Sequence, residues 1–411
     1  MIQVEKHIFK SNNPIWKQID DLCFLSKNLY NFANYQIRQS FIFNNVYLGF
    51  NKLYHLVKTS EDYKALPAKV SQQVLRLLDK NWKSFFKAFE AYQKNPKLFL
   101  GKPKLPKYKD KLKGRNLLVY TIQAISKKEL RRGIVKLSGT ELTIPTSVTN
   151  IAQVRIVPQT SQYVIEIIYE KELSCTVNNP NAVAAIDIGV NNLATLTSNQ
   201  IGTTPILING RPLKSINQFY NKRKALLQSK LRGNSYTSNL LGRVTANRNN
   251  KIDSYLHACS RWIIDYLDKQ GISKLVIGKN PSWKQEIKTG KKNNQSFVSI
   301  PHAKFIEMLI YKGALKGIEV ITREESYTSK GSFLNLDYIP TYKKNDSSKA
   351  RFSGYRESRG MYKIRGEETR INADVNGSYN ILRKVIPTAF SGGIEGVVVR
   401  PIRVTPGKAK V

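Results

Sequence analysis

The chain has 411 residues, 41% hydrophobic and 23% charged, enough to bury one or two sizeable cores without disulfide or metal staples. Its 67 Lys and Arg against 29 Asp and Glu give a formal charge of +38, an excess that repels itself unless a polyanion supplies counter-charge. Nucleic acid is the expected partner; no apolar run approaches the roughly 18 residues of a membrane helix, and the scattered Cys23, Cys175 and Cys259 exclude a disulfide framework or a cysteine zinc cluster.

In chain order, Met1 to Lys10 reads as a strand and not as a signal peptide, so an intracellular, cytoplasmic protein is expected. Ile15 to Ser40 carries Leu22, Leu25, Leu29, Phe32 and Tyr35 at helical spacing, and Val74, Leu78, Trp82, Phe85, Phe86 and Phe89 continue it over Ser71 to Tyr92. These aromatics are expected in a bundle core. Between Lys94 and Arg115 stand nine Lys or Arg, one acid and three prolines. Such a stiffened basic run, with Lys102, Lys104, Lys107, Tyr108 and Lys109, suits a nucleic-acid backbone; a solvated face is the alternative. Leu117 to Tyr169 alternates as short strands, predicting a small β-barrel completed by the N-terminal strand. Cys175 to Asn181 is a polar break.

Beyond it, strands are predicted at 183–189, 192–197 and 204–208, helices at 213–231 and 245–269, a strand at 274–278, a helix at 302–316 and a strand at 318–323. Three meander strands followed by helix, strand, helix and strand is the order of an RNase H-like α/β domain. Asp187 stands inside the apolar strand Val183-Ala-Ala-Ile-Asp-Ile-Gly, where an ionised carboxylate requires either a Lys or Arg partner or a metal. Asp374 stands in Ile371-Asn-Ala-Asp-Val-Asn-Gly-Ser-Tyr-Asn-Ile, at the start of a helix whose small residues allow close packing on a sheet. An N-cap role competes there. Asn376 and Asn380, four apart, share a helix face from which they could orient that carboxylate or a water.

These segments, with Leu22 to Tyr30, Lys102 to Tyr108, Ile216-Asn-Gln-Phe-Tyr-Asn-Lys-Arg, Asp253 to Trp262 and Tyr327-Thr-Ser-Lys, resemble the TnpB family of transposon-encoded RNA-guided nucleases, relatives of type V CRISPR effectors. The resemblance runs along the whole chain. It implies a multidomain α+β fold: a wedge β-barrel (1–10 and 116–175), an inserted helical recognition domain (11–115), a RuvC-type nuclease domain (180–323 and 371–386), a target-nucleic-acid-binding insertion (324–370) and a flexible tail (387–411). It also implies two Mg²⁺ ions held by three carboxylates, a guide RNA, double-stranded target DNA, a monomer on one RNA, and nucleic-acid contacts from Asn217, Tyr220, Asn221, Arg223, Lys330 and Asn376.

Asp187 and Asp374 match the first and third carboxylates. The second, a Glu ending the 274–278 strand in similar proteins, is Gly278 here. Glu286 is one substitute. Glu325 is preferred, with Glu324 in reserve, because parallel neighbouring strands release their chains at the same sheet edge, and some relatives resemble this arrangement. The insertion lacks the family's paired cysteines, so no zinc is expected. Two rivals stay open: a guided DNA-binding protein without nuclease activity, and a DDE-type transposase acting without RNA.

Overall fold

The structure is a computed structural model describing residues 1–173, 179–233, 235–280, 291–341, 351–358 and 360–407. Cys175 and Glu286 lie outside the described residues. The chain divides into Met1–Glu172 and Leu173–Val411.

In the first unit, strand β1 (Ile2–Lys10) leads into helices α1 (Trp16–Asn44), α2 (Phe50–Val57), α3 (Glu61–Lys64) and α4 (Ala68–Lys94). The α1 stripe Ile19, Cys23, Tyr30, Ala33 and Ile37 meets the α4 stripe Val70, Val74, Leu78 and Trp82. Trp82 is fully buried, donates from Nε1 to Asn34 Oδ1 at 2.9 Å, and packs edge-on to Phe41, so it is core, with Phe85 and Phe86 partly buried against it and Phe89 outside that core. Strand β2 (Leu118–Thr121), the one-turn helix α5 (Lys127–Leu130), the hairpin β3 (Ile134–Lys136) and β4 (Thr143–Pro145), β5 (Ile151–Gln159) and β6 (Gln162–Glu170) complete it.

The sheet order is β1-β6-β5-β2, so the N-terminal strand does pair where expected, antiparallel to β6. The barrel, however, does not close. The strand β2 has only four residues, and β3 and β4 pair with each other instead of extending the sheet, leaving four strands, too few to curl round on themselves. Helices and sheet share one core, in which Leu78 and Trp82 join Tyr120 and Ile156.

The second unit is built on β7 (Asn179–Ile188), β8 (Asn192–Ser198), β9 (Ile206–Asn209), helices α6 (Arg211–Ser229) and α7 (Asn239–Lys269), β10 (Ile272–Gly278), helices α8 (Lys291–Val298) and α9 (His302–Ala314), and β11 (Glu319–Arg323). Then come β12 (Gly354–Arg356), β13 (Met361–Ile364), β14 (Arg370–Asn372), α10 (Ala373–Val385) and β15 (Ile402–Val404). The six-stranded order is β11-β10-β7-β8-β9-β15. β7, β8 and β9 form an antiparallel meander, and β10 and β11 add in parallel. Alternation along β7 sorts its side chains: Ala184, Ile186 and Ile188 join Leu256, Ile263, Phe305 and Leu309 of α7 and α9, whereas Val183 and Ala185 meet Ile381 and Leu382 of α10. By the same period Asp187 belongs to the α10 face.

The tail expected to be flexible is partly ordered. Ile402–Val404 pairs in parallel with β9 as an edge strand, and Tyr379 donates from its hydroxyl to Val398 O at 2.8 Å. No helix among the described residues is long and apolar enough to cross a membrane.

Candidate active site and nucleic-acid surfaces

Asp374 does not cap its own helix; Asn372 does. Asn372 Oδ1 accepts from the backbone N–H of Asp374 at 3.0 Å and of Val375 at 3.1 Å, which is the N-cap bond. The Asp374 carboxylate instead accepts from Asn192 Nδ2 at 2.8 Å and from Arg356 at 2.9 Å. Small residues then let α10 settle on the sheet. Ser378 Oγ donates to backbone carbonyls on β7 and β8, and a Cβ at Gly377 would stand 2.9 Å from Asp187 Oδ2.

Glu325 follows β11 by two residues, and Gly278 at the end of β10 makes room for it. A Cβ at Gly278 would lie 2.3 Å from Glu325 Oε2 and 2.6 Å from Ile381 Cδ1, so no larger residue fits while Glu325 points inward. Parallel pairing sets Gly278 opposite Arg323, which puts the two strand ends at one edge. The loop is then fixed from both sides of Glu325. Its N–H donates to Asn280 Oδ1 at 3.1 Å, and the nearly buried Lys384 ammonium donates to Glu324 Oε2 at 2.5 Å, Ser326 O at 2.8 Å and Pro340 O at 3.1 Å. Glu324 is thereby committed to Lys384. Tyr327, two residues on, takes a left-handed φ of 66°, a strained conformation for a bulky residue.

Burial, then the charges of Glu325 and Asp374, raise Asp187 well above the ordinary carboxylate range, with Arg356 acting the other way. Burial and then Glu324 push Glu325 up to about 7, offset by Lys384. For Glu324, burial is outweighed by its bonds to Lys384 and Ser326, which hold its pKa below the ordinary value. Two acceptor oxygens, Glu325 Oε2 and Asn192 Oδ1, are buried without a hydrogen-bond partner. Such orphans are costly, and two of them beside mutually repelling carboxylates suit a cation in kind: all are oxygens, the donors Mg²⁺ prefers. Among the described residues no three His, Cys, Asp or Glu side chains are drawn together closely enough to hold a metal ion as they stand. Arg356 takes the place of a cation at Asp374.

Sequence reasoning did not single out Asn192 or Arg356. The first has a weak signal, a polar residue opening an apolar strand; the second is one arginine among many.

The other candidate residues divide between surface and interior. Lys102, Lys104, Lys107, Tyr108 and Lys109 are exposed along an extended ribbon whose backbone is pinned to α1: Asn34 and Arg38 donate to Pro106 O at 3.1 and 3.0 Å, and Asn31 both donates to and accepts from Lys109. Lys330 and Arg223 are exposed, and Asn221 lines a polar cleft. Asn376 corrects the expectation. It is fully buried, donates to Gly331 O at 2.7 Å and accepts from Phe333 N at 2.8 Å, while Asn380 binds Thr328 O and Gly331 O. Both amides serve the 328–333 turn and neither serves the carboxylate, because their helix face is packed under that turn. Tyr220 also turns inward, its hydroxyl 3.2 Å from Thr245 Oγ1 and its ring beneath Arg248.

The insertion holds a second cleft, lined by Lys330, Arg351, Arg356 and Arg365 with Phe352 and Tyr355. Its framework is cross-linked without cysteine: the Asp337 carboxylate accepts from Ser332 N, Ser353 N and Ser353 Oγ at 2.7–3.0 Å.

Two family models match the chain, OrfB_IS605, described as "Probable transposase", over residues 166–284, and the Cas12f1-like TNB domain over residues 302–381. No curated protein matches. Among solved structures, a Cas12f1–sgRNA–target DNA complex shares 14% identity over 92% of this chain and 98% of that chain, with a TM-score of 0.38. A mini-RNA-guided endonuclease, CRISPR-Cas_phi3, shares 9% over 98% and 94%, with a TM-score of 0.42. The two family models fall on the segments that carry Asp187 and Asp374, and together they support a TnpB-like chain with an OrfB_IS605 segment followed by a Cas12f1-like TNB segment.

Proposed function

We propose that this protein is an RNA-guided DNA endonuclease whose nuclease domain is the Leu173–Val411 unit, an RNase H-like fold of the RuvC type. The observation that carries the reading is the pair of orphaned buried oxygens, Glu325 Oε2 and Asn192 Oδ1, set among Asp187 and Asp374 on a sheet of the order β11-β10-β7-β8-β9. The charge of +38 and the exposed lysine ribbon support a nucleic-acid partner.

Asp187, Glu325 and Asp374 would hold two Mg²⁺ ions, with Asn192 beside them. When bound, such ions stabilise the charge of an in-line phosphodiester displacement and lower the pKa of the attacking water. The chain's own residues do the positioning. Lys384 keeps Glu324 out of the site and Glu325 turned into it, and Gly278 leaves the space. Arg356, exchanged from Asp374 to an incoming phosphate, links the site to the cationic cleft of the insertion, where Phe352 and Tyr355 offer faces to unpaired bases. Pairing between a guide RNA and the target strand supplies sequence recognition.

The Arg356–Asp374 ion pair favours a second reading, a guided binder whose site stays closed to metal. The discriminating experiment copurifies the protein with RNA from its own locus and offers a matching plasmid target in Mg²⁺. Cleavage abolished by Asp187→Ala, Glu325→Ala or Asp374→Ala with target binding retained supports the nuclease; binding without cleavage by the wild type supports the binder. Strand joining at element ends would support a transposase.

A further inference from the structure

Away from the carboxylates, α6 carries a stripe of unexpected chemistry. Lys214, Asn217, Gln218, Asn221 and Lys222 recur at i, i+3, i+4, i+7 and i+8, the spacing of one helix face. Where a helix faces its own protein such a stripe is usually apolar. Here it lines an open cleft completed by Gln295 and Ser299, and among the described residues no acid and no apolar side chain lines it.

The cleft contains a preset donor. Asn217 is 4% exposed, and its Oδ1 accepts from Arg248 Nε at 2.8 Å and from a terminal guanidinium nitrogen at 2.6 Å. Those two bonds fix which way the amide faces. Its Nδ2 is left buried with no partner, a costly state that marks a place for an acceptor oxygen. Lys214 and Lys222 stand about 12 Å apart along the helix axis, with the Gln218 and Asn221 amides between them. Lys214 Nζ has only a long contact, 3.4 Å, to Asn191 Oδ1.

A phosphodiester oxygen only accepts, which suits the lysines. A ribose 2′-hydroxyl both donates and accepts, as does a side-chain amide, and DNA lacks that hydroxyl. We propose that this α6 cleft is an RNA-backbone subsite, with Lys214 and Lys222 on flanking phosphates and Asn217, Gln218 and Asn221 on the ribose hydroxyls between. The inference rests on the reading that RNA is a partner and deepens it by saying how RNA is told from DNA.

The test is fluorescence anisotropy of the full chain with a labelled RNA oligonucleotide and the DNA of the same sequence. The double variant Gln218→Leu/Asn221→Leu, which leaves charge unchanged, should lower the RNA-to-DNA affinity ratio about tenfold. Lys214→Gln/Lys222→Gln should weaken both ligands and reduce the slope of log affinity against log salt by about 1.4. An unchanged ratio in the amide variant, with its melting midpoint preserved, overturns the subsite alone. A wild-type chain that binds no RNA overturns the RNA-guided reading and the subsite with it.

Discussion

Replacing Glu325 with Gln removes a charge that the metal-free protein holds at a cost. Burial and Glu324 push this carboxyl up to about 7 against an ordinary 4.5, which corresponds to a ceiling of about 3 kcal/mol against its ionised form, reduced by solvent reaching the half-buried side chain. Because the folded-state value is raised, the stability given by the protonated form is fully present below about 4.5 and is lost as pH rises through about 7. In a chelator, Glu325→Gln should therefore melt at the same temperature as the wild type near the lower limit. Above neutrality it should melt several degrees higher, at about 2–4 °C per kcal/mol for a unit of this size. Adding Mg²⁺ should raise the wild-type midpoint and not that of the variant, which lacks the charge the ion would neutralise. Melting curves across this pH range, with and without Mg²⁺, read all of it. A variant that melts below the wild type in chelator at high pH, or a difference that ignores pH, would refute the idea of a buried, repelled carboxylate.

Three other substitutions probe the surroundings. Gly278→Ala places a Cβ against Glu325 Oε2 and Ile381, so it should cost about 1–3 kcal/mol in urea unfolding and slow cleavage; Gly278→Glu combined with Glu325→Gly should recover activity if the two positions serve one site. Lys384→Met leaves Glu324 uncompensated and unties Ser326 and Pro340, and should destabilise by about 3 kcal/mol, with Lys384→Arg recovering part of it. Asn376→Leu should lose about 1–3 kcal/mol of stability, seen by denaturant titration, without altering the salt dependence of nucleic-acid binding, since the amide works inside the protein.

Much of the second unit's topology was legible because its strands are apolar runs bounded by turns, and Asp187 stood out as the single acid of an apolar strand. The Glu325 position followed from strand adjacency: β10 and β11 run in parallel with Gly278 opposite Arg323. What stayed hidden depended on distant partners. Ile402–Val404 becomes a strand only because β9, far back in the chain, offers an edge. Asn376 looked like a surface polar residue beside an acid, yet the 328–333 turn covers it, and periodicity along one helix cannot say what covers a face. The barrel failed for a similar reason: alternation identified strands but not that β3 and β4 would pair with each other. Asn372 took the cap that Asp374 could equally have filled, a choice set by a two-residue difference in where the helix begins.

The measurement that bears most directly on the account is Mg²⁺-dependent cleavage of a target plasmid by the protein copurified with its own RNA, comparing wild type with Glu325→Ala and Glu324→Ala. Loss of cutting in Glu325→Ala with guided binding intact, and retained cutting in Glu324→Ala, is the expected result. Undiminished cutting by Glu325→Ala would contradict the relocated carboxylate and the site built around it.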